Sequence, residues 1–137
     1  MTAEVFLDSN VLLYACSNAP ADAEKQAKAE RLILDTDFAL SAQVLQEFVA
    51  NALRKKALGI SESGIDATLE LSGRVPVLPV TRELVMAAVI LRRRFQLSHW
   101  DSTILAAARE LGCHSLYTED LNHGQDYDGV RVINPFS

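Results

Sequence analysis

Five short apolar runs recur along the chain, separated by stretches of helix-forming composition. This alternation constrains the fold more than any other feature. The runs are VFL at 5–7, FALS at 38–41, VPVLPV at 75–80, HSLYT at 114–118 and GVRVINPF at 129–136. Between them lie VLLYA after Asn10, an Ala/Lys/Glu/Leu-rich stretch at 21–35, AQVLQEFVANALRKKAL ended by Gly59, a segment between Ser61 and Gly73, RELVMAAVILRRRF after Thr81, and HWDSTILAAAREL between Ser98 and Gly112. Strands alternating with helices predict a three-layer α/β/α architecture around a mainly parallel sheet of four to five short strands. A length of 137 residues without linker, repeat or low-complexity segment predicts one domain over 1–137.

The first run ends abruptly on a carboxylate, Asp8, in FLDSN. In open parallel sheets, sites form beyond the carboxyl ends of strands. Asp120 follows HSLYT in the same way. Adjacent strands are ~4.8 Å apart, so two such acids can reach one ion. Each acid also has an ordinary structural explanation. Asp8 or Ser9 can cap the first helix. Asp101 stands three residues after Ser98, as in a capping box, yet Ile104, Leu105 and Ala108 place it on the flank of an apolar stripe. An ionised carboxylate there calls for a partner or a cation, and its first-turn position favours the charged form. Glu47 shares its helix arc with Gln43, Asn51 and Arg54, and taken singly reads as a solvated glutamate. Asp120, with Glu119 beside it and Asn122 two residues on, reads singly as a turn residue. Taken together, two strand-end acids, one helix-start acid and one on a polar arc form a cluster that repels itself unless a hard divalent cation, magnesium or manganese, neutralises it.

The net charge of −5 argues against binding a polyanion by bulk positive charge. If four acids serve a metal site, the remainder carries −5 + 4 = −1. RKK at 54–56 and RRR at 92–94 are then local basic groups, each more simply a solvated helix face. Cys16 and Cys113 form no paired motif, and the N-terminus has no secretory pattern, so a cytoplasmic protein with no membrane segment is expected. His99, His114 and His123 lack metal-ligand spacing, and no glycine-rich phosphate loop is present.

The ordered set FLDSN, SAQVLQEF, HWDSTILAAA and LYTEDL resembles the four acidic motifs of PIN-domain ribonucleases, across essentially the whole chain. Length and the closing VRVINPF look most like the VapC-type toxins of bacterial toxin–antitoxin pairs. The resemblance implies a PIN-like fold and magnesium- or manganese-dependent hydrolysis of RNA. Asp8, Glu47, Asp101 and Asp120 would be the catalytic and metal-binding acids. Asn10, Thr118 and Asn122 would support them, with Asp120 and Asn122 sharing the last role, and Glu119 would be a bystander. It further implies a cognate antitoxin and a homodimer. Two other classes compete. An aspartate-nucleophile phosphatase needs a second Asp at position 10, which is Asn. A receiver domain needs an Asp after a central strand and a Lys near a later one, and VPVLPV and VRVINPF lack them. Retention of all four acids argues against a PIN-like module that only docks a partner.

Overall fold

The computed structural model describes residues 3–137. Strands β1 (Val5–Leu7), β2 (Phe38–Ser41), β3 (Val77–Leu78), β4 (Ser115–Tyr117), β5 (Asp126–Tyr127) and β6 (Val130–Ile133) form one sheet in the order β3-β2-β1-β4-β6-β5. Every pairing is parallel except β5 with β6. The helices are α1 (Ser9–Cys16), α2 (Ala23–Asp35), α3 (Ala42–Arg54), α4 (Glu62–Ser72), α5 (Arg82–Phe95) and α6 (His99–Glu110). From β1 the chain steps outward through β2 to β3 and then returns across the sheet to β4. Right-handed crossovers therefore put α1–α4 on one face and α5 and α6 on the other. Contacts of α1 with α2 and α3, and of α5 with α6, agree with that division.

The sheet is held from within. Phe6, Leu7, Leu40, Leu116 and Val132 are buried, as are Val11 and Leu12 of α1, Val44 and Phe48 of α3, and Leu105 of α6. The apolar spacing read from the sequence accounts for these faces, since alternate strand residues and i, i+4 helix residues share a side. On α5, Leu84, Ala88 and Leu91 point inward, whereas Val85, Met86 and Ile90 remain exposed. Val11, Leu12 and Leu13 of α1 are buried, and Leu34 of α2 is exposed.

Three details differ from the sequence reading. The sheet has six strands rather than four to five. The extra one is β5, joined to β6 by Asp128–Gly129, both at positive φ (55° and 97°). Two consecutive left-handed residues suit a two-residue hairpin, and Asp-Gly is its usual sequence; the signal was present but only a two-residue strand precedes it. The long helix after Ser41 stops at Arg54; residues Lys56–Leu58 form a single 3-10 turn closed by Gly59 at φ 63°. VPVLPV yields only two paired residues, because Pro76 and Pro79 have no N–H to give the ladder.

Candidate metal centre

Strand order reverses at β1: β2 lies on one side and β4 on the other. The crevice at the carboxyl ends of β1 and β4 is thus the topological switch point, where doubly wound sheets place their sites. Leu7 is in register with Tyr117, and the Asp8 N–H donates to the Tyr117 carbonyl at 3.1 Å. The residues that follow on each strand therefore meet.

Asp8 is only 5% exposed. One carboxylate oxygen, Oδ1, accepts from the Ser9 N–H at 2.7 Å, and the other, Oδ2, accepts from the Thr118 hydroxyl at 2.8 Å. Thr118 is fully buried and acts as the hub: its Oγ1 also accepts from Asn10 Nδ2 and from the Asp120 N–H, both at 3.1 Å. Asn10 Nδ2 lies 3.2 Å from Asp120 Oδ2. Asp8 thus caps α1 and faces the crevice at once. Asn10 Oδ1 is buried without a protein partner.

Glu47 enters from α3, whose start is fixed by Ser41 Oγ accepting from the Val44 N–H at 3.2 Å. It is half-buried rather than solvated, and Gln43 Nε2 approaches its Oε1 at 3.4 Å. Asp101 enters from the first turn of α6, where Ser98 Oγ accepts its backbone N–H at 3.1 Å. The Ser98 half of the capping box is made. Asp101 is half-buried, and Asp120 is exposed at the rim. The structure brings Asp8, Asn10, Thr118 and Asp120 into one hydrogen-bonded group. Asn122 is outside it, its amide donating to Gln125 Oε1 at 2.9 Å. Glu119 turns away to accept from the Tyr14 hydroxyl at 2.8 Å and to pair with Lys25 at 3.4 Å.

The electrostatics couple all four acids. Burial pushes the Asp8 carboxyl up to about 6, the Thr118 and Ser9 hydrogen bonds hold it down in part, and the charges of Asp120 and Asp101 raise it again. Burial likewise pushes Glu47 up to about 7, with the Asp8 charge next in size. Asp101 is raised by burial against the opposing pull of Ser98. The expectation that its helix position would favour the charged form is therefore reversed: desolvation outweighs it. None of the four pairs with a lysine or arginine among the described residues; the ion pairs lie at Lys25–Glu119, Lys28–Glu24, Arg82–Glu83 and around Asp128.

Among the described residues no three His, Cys, Asp or Glu side chains are already gathered as a ligand set. The four acids feel one another's charge but stand apart, with Asp8 braced by hydrogen bonds. Magnesium takes one or two carboxylates directly and reaches others through water, so it does not require a closed ligand set. Asp8, buried without a cationic partner, and the unpaired Asn10 Oδ1 are oxygen donors of the kind such an ion takes. Thr118 is the residue on which the arrangement turns. Thr118→Val, nearly equal in volume, should cost roughly 2 kcal/mol by leaving buried polar groups unpaired, read by urea denaturation, while Thr118→Ser should stay close to wild type.

Sequence reasoning placed Gln43 on the polar arc of Glu47 but gave it no part in the site. It is 7% exposed, its Nε2 also donates to the Trp100 carbonyl at 3.2 Å, and its Oε1 is unpaired.

Comparison with known proteins places this architecture. Among solved structures, the chain is similar to a toxin–antitoxin complex from Klebsiella pneumoniae, with 17% identity, TM-score 0.70, and 96% of this chain and 98% of that chain covered. It is similar to VapC20 of Mycobacterium tuberculosis, a toxin that cleaves the sarcin–ricin loop, with 22% identity, TM-score 0.66, and 85% and 91% covered. It is also similar to DNA-bound VapBC from Salmonella typhimurium, with 20% identity, TM-score 0.67, and 96% and 97% covered. No curated protein gives a significant match. The PIN domain family model matches residues 5–125, which include both strand ends and all four acids. On that match and this fold, the chain belongs to the PIN domain family.

Proposed function

We propose that the chain, acting as one PIN-like unit over 1–137, is a metal-dependent endoribonuclease and the toxin of a toxin–antitoxin pair. The observation that carries this reading is Asp8: a buried carboxylate at the switch point, unpaired with any described cation and coupled electrostatically to Glu47, Asp101 and Asp120. Asp8, Glu47, Asp101 and Asp120 would hold magnesium or manganese. A bound divalent ion lowers the pKa of its water and stabilises charge on phosphoryl oxygens.

The chain's own groups do the rest. Thr118 and the Ser9 N–H hold both oxygens of Asp8, so the chain itself orients this carboxylate. Asn10 ties Asp120 to the same frame. Glu47, half-buried on α3 with Gln43 Nε2 3.4 Å from its Oε1, is held toward the same crevice. No 2′-hydroxyl chemistry is required, so the products should carry 5′-phosphate and 3′-hydroxyl ends. Asn122, engaged with Gln125, has at most a loop-shaping part.

The toxin assignment draws support from the fold shared with toxin–antitoxin complexes. A cognate antitoxin and a second copy of the chain are the partners proposed, and α5, with Val85, Met86 and Ile90 exposed, offers apolar surface for one of them. A cytoplasmic location goes with this role, and no helix among the described residues is long and apolar enough to cross a membrane. The phosphatase alternative gains no support here: position 10, two residues after Asp8, would have to be acidic and is Asn10, which donates to Thr118 and Asp120.

The test is cleavage of a mixed cellular RNA pool by partner-free protein, with manganese, with magnesium and with chelator. Cleavage should require metal and should fall by more than about 100-fold in Asp101→Asn. Cleavage that persists in chelator, or products ending in 2′,3′-cyclic phosphate, would sink the proposal.

A further inference from the structure

A groove of about 650 Å³ opens beside Glu47, between α3 and the start of α6. Gln43 lines its inner side, Val80 and Val85 line its apolar side, and Trp100, 66% exposed, stands at its mouth with His99 set edge-on at 5.2 Å between ring centroids. Glu47, one of the four coupled acids, lines the groove, so the groove borders the acidic crevice. Two observations say what fits there. Gln43 is 7% exposed and its Oε1 has no partner, so an acceptor in need of an N–H donor lies just beneath the groove wall. No lysine or arginine is among the lining residues, and the chain carries −5, so phosphate contacts cannot supply the grip at this place.

We propose that this groove is a nucleobase subsite: a base next to the scissile linkage stacks on Trp100 and donates an N–H from its edge to Gln43 Oε1. Resting on the nuclease reading, this deepens it by naming what holds the substrate in register. A flat aromatic ring exposed beside an acidic site binds single-stranded bases without needing charge, and an apolar pocket with one convergent polar group fixes their orientation. Glu47, on the groove rim, then lies at the adjoining linkage.

Trp100 is the chain's one tryptophan, so its fluorescence reports the subsite alone. A single-stranded hexaribonucleotide of mixed sequence, titrated in chelator so that no cleavage intervenes, should quench it saturably. With a fluorescein-labelled hexamer, Trp100→Ala should weaken binding about 5- to 100-fold and Trp100→Phe much less. Gln43→Leu should weaken it without abolishing the quench. Hexamer binding with no quench, or Trp100→Ala binding as tightly as wild type, would overturn the subsite. If manganese-dependent cleavage of pooled RNA is meanwhile intact, the nuclease reading stands and only the subsite falls. Should folded wild type neither bind nor cleave any RNA, both fall. Halving of the mass by light scattering in Trp100→Ala, with RNA affinity unchanged, would also overturn the proposal and give this face to a second copy of the chain.

Discussion

Asp8→Asn should abolish RNA cleavage while making the metal-free protein more stable. The two effects have one cause. Asp8 is buried, and its carboxyl is pushed up from 3.8 to about 6, so above that pH the folded state holds a charge that the unfolded chain would hold more cheaply. At 1.36 kcal/mol per unit, that penalty is on the order of 3 kcal/mol at pH 8. Asparagine removes the charge but cannot keep both hydrogen bonds: either Ser9 loses its acceptor or the Thr118 hydroxyl does, at about 1 kcal/mol. A net gain of roughly 1–2 kcal/mol remains, a rise in Tm of about 5 °C for a domain of this size. Activity should meanwhile fall by more than about 100-fold, since a group that binds the ion costs at least as much to remove as one that positions such a group. A site that trades stability for function shows this signature. Thermal unfolding in chelator at pH 8, beside the cleavage assay, measures both arms. A destabilised Asp8→Asn would mean that capping α1 is the residue's main role.

The stability of the wild-type protein should fall as pH rises, and metal should reverse the fall. Asp8 and Glu47 both have folded values, about 6 and about 7, above their ordinary 3.8 and 4.5. Between the two values of each group the folded state binds more protons than the unfolded state, so stability decreases with pH. Their favourable contribution is complete below about pH 4 and is lost by about pH 8. Asp101 shifts in the same direction. A divalent ion binds the ionised carboxylates and stabilises the folded state in proportion to its occupancy. The increase in Tm on adding manganese should therefore be small at pH 5 and largest near pH 8. Melting curves at both values, with chelator and with manganese, check this against Asp8→Asn, in which the pH slope should flatten. A wild-type slope across pH 5–8 no steeper than that of Asp8→Asn would count against the clustering of charge.

Much of this site can be read from the sequence because it is carried by local signals. Val5–Leu7 ending on Asp8 and Ser115–Tyr117 leading to Asp120 are strand ends whose side chains are forced together once β1 and β4 pair. Ser98 starts its helix where the capping pattern places it. What was not legible depends on distant packing. Glu47 lies on a polar helix arc, and only the fold decides whether that arc meets water or a crevice; it meets the crevice and is half-buried. The Asp101 carboxyl is governed by desolvation that no helical wheel can weigh against the helix dipole. Thr118 was a hydroxyl two residues before an acid; its part as the common partner of Asp8, Asn10 and Asp120 exists only across the β1–β4 boundary. The β5–β6 hairpin was announced by Asp128–Gly129 but hidden by the brevity of its first strand.

Manganese binding itself is the most direct test of the metal centre. Partner-free wild-type protein, titrated at pH 8 and followed by electron paramagnetic resonance of the free ion, should take up manganese at a saturable site. That uptake should weaken by more than about tenfold in Asp8→Asn and in Asp101→Asn. Uptake of equal strength in all three proteins would place the ion elsewhere and contradict the account of the four acids as its site.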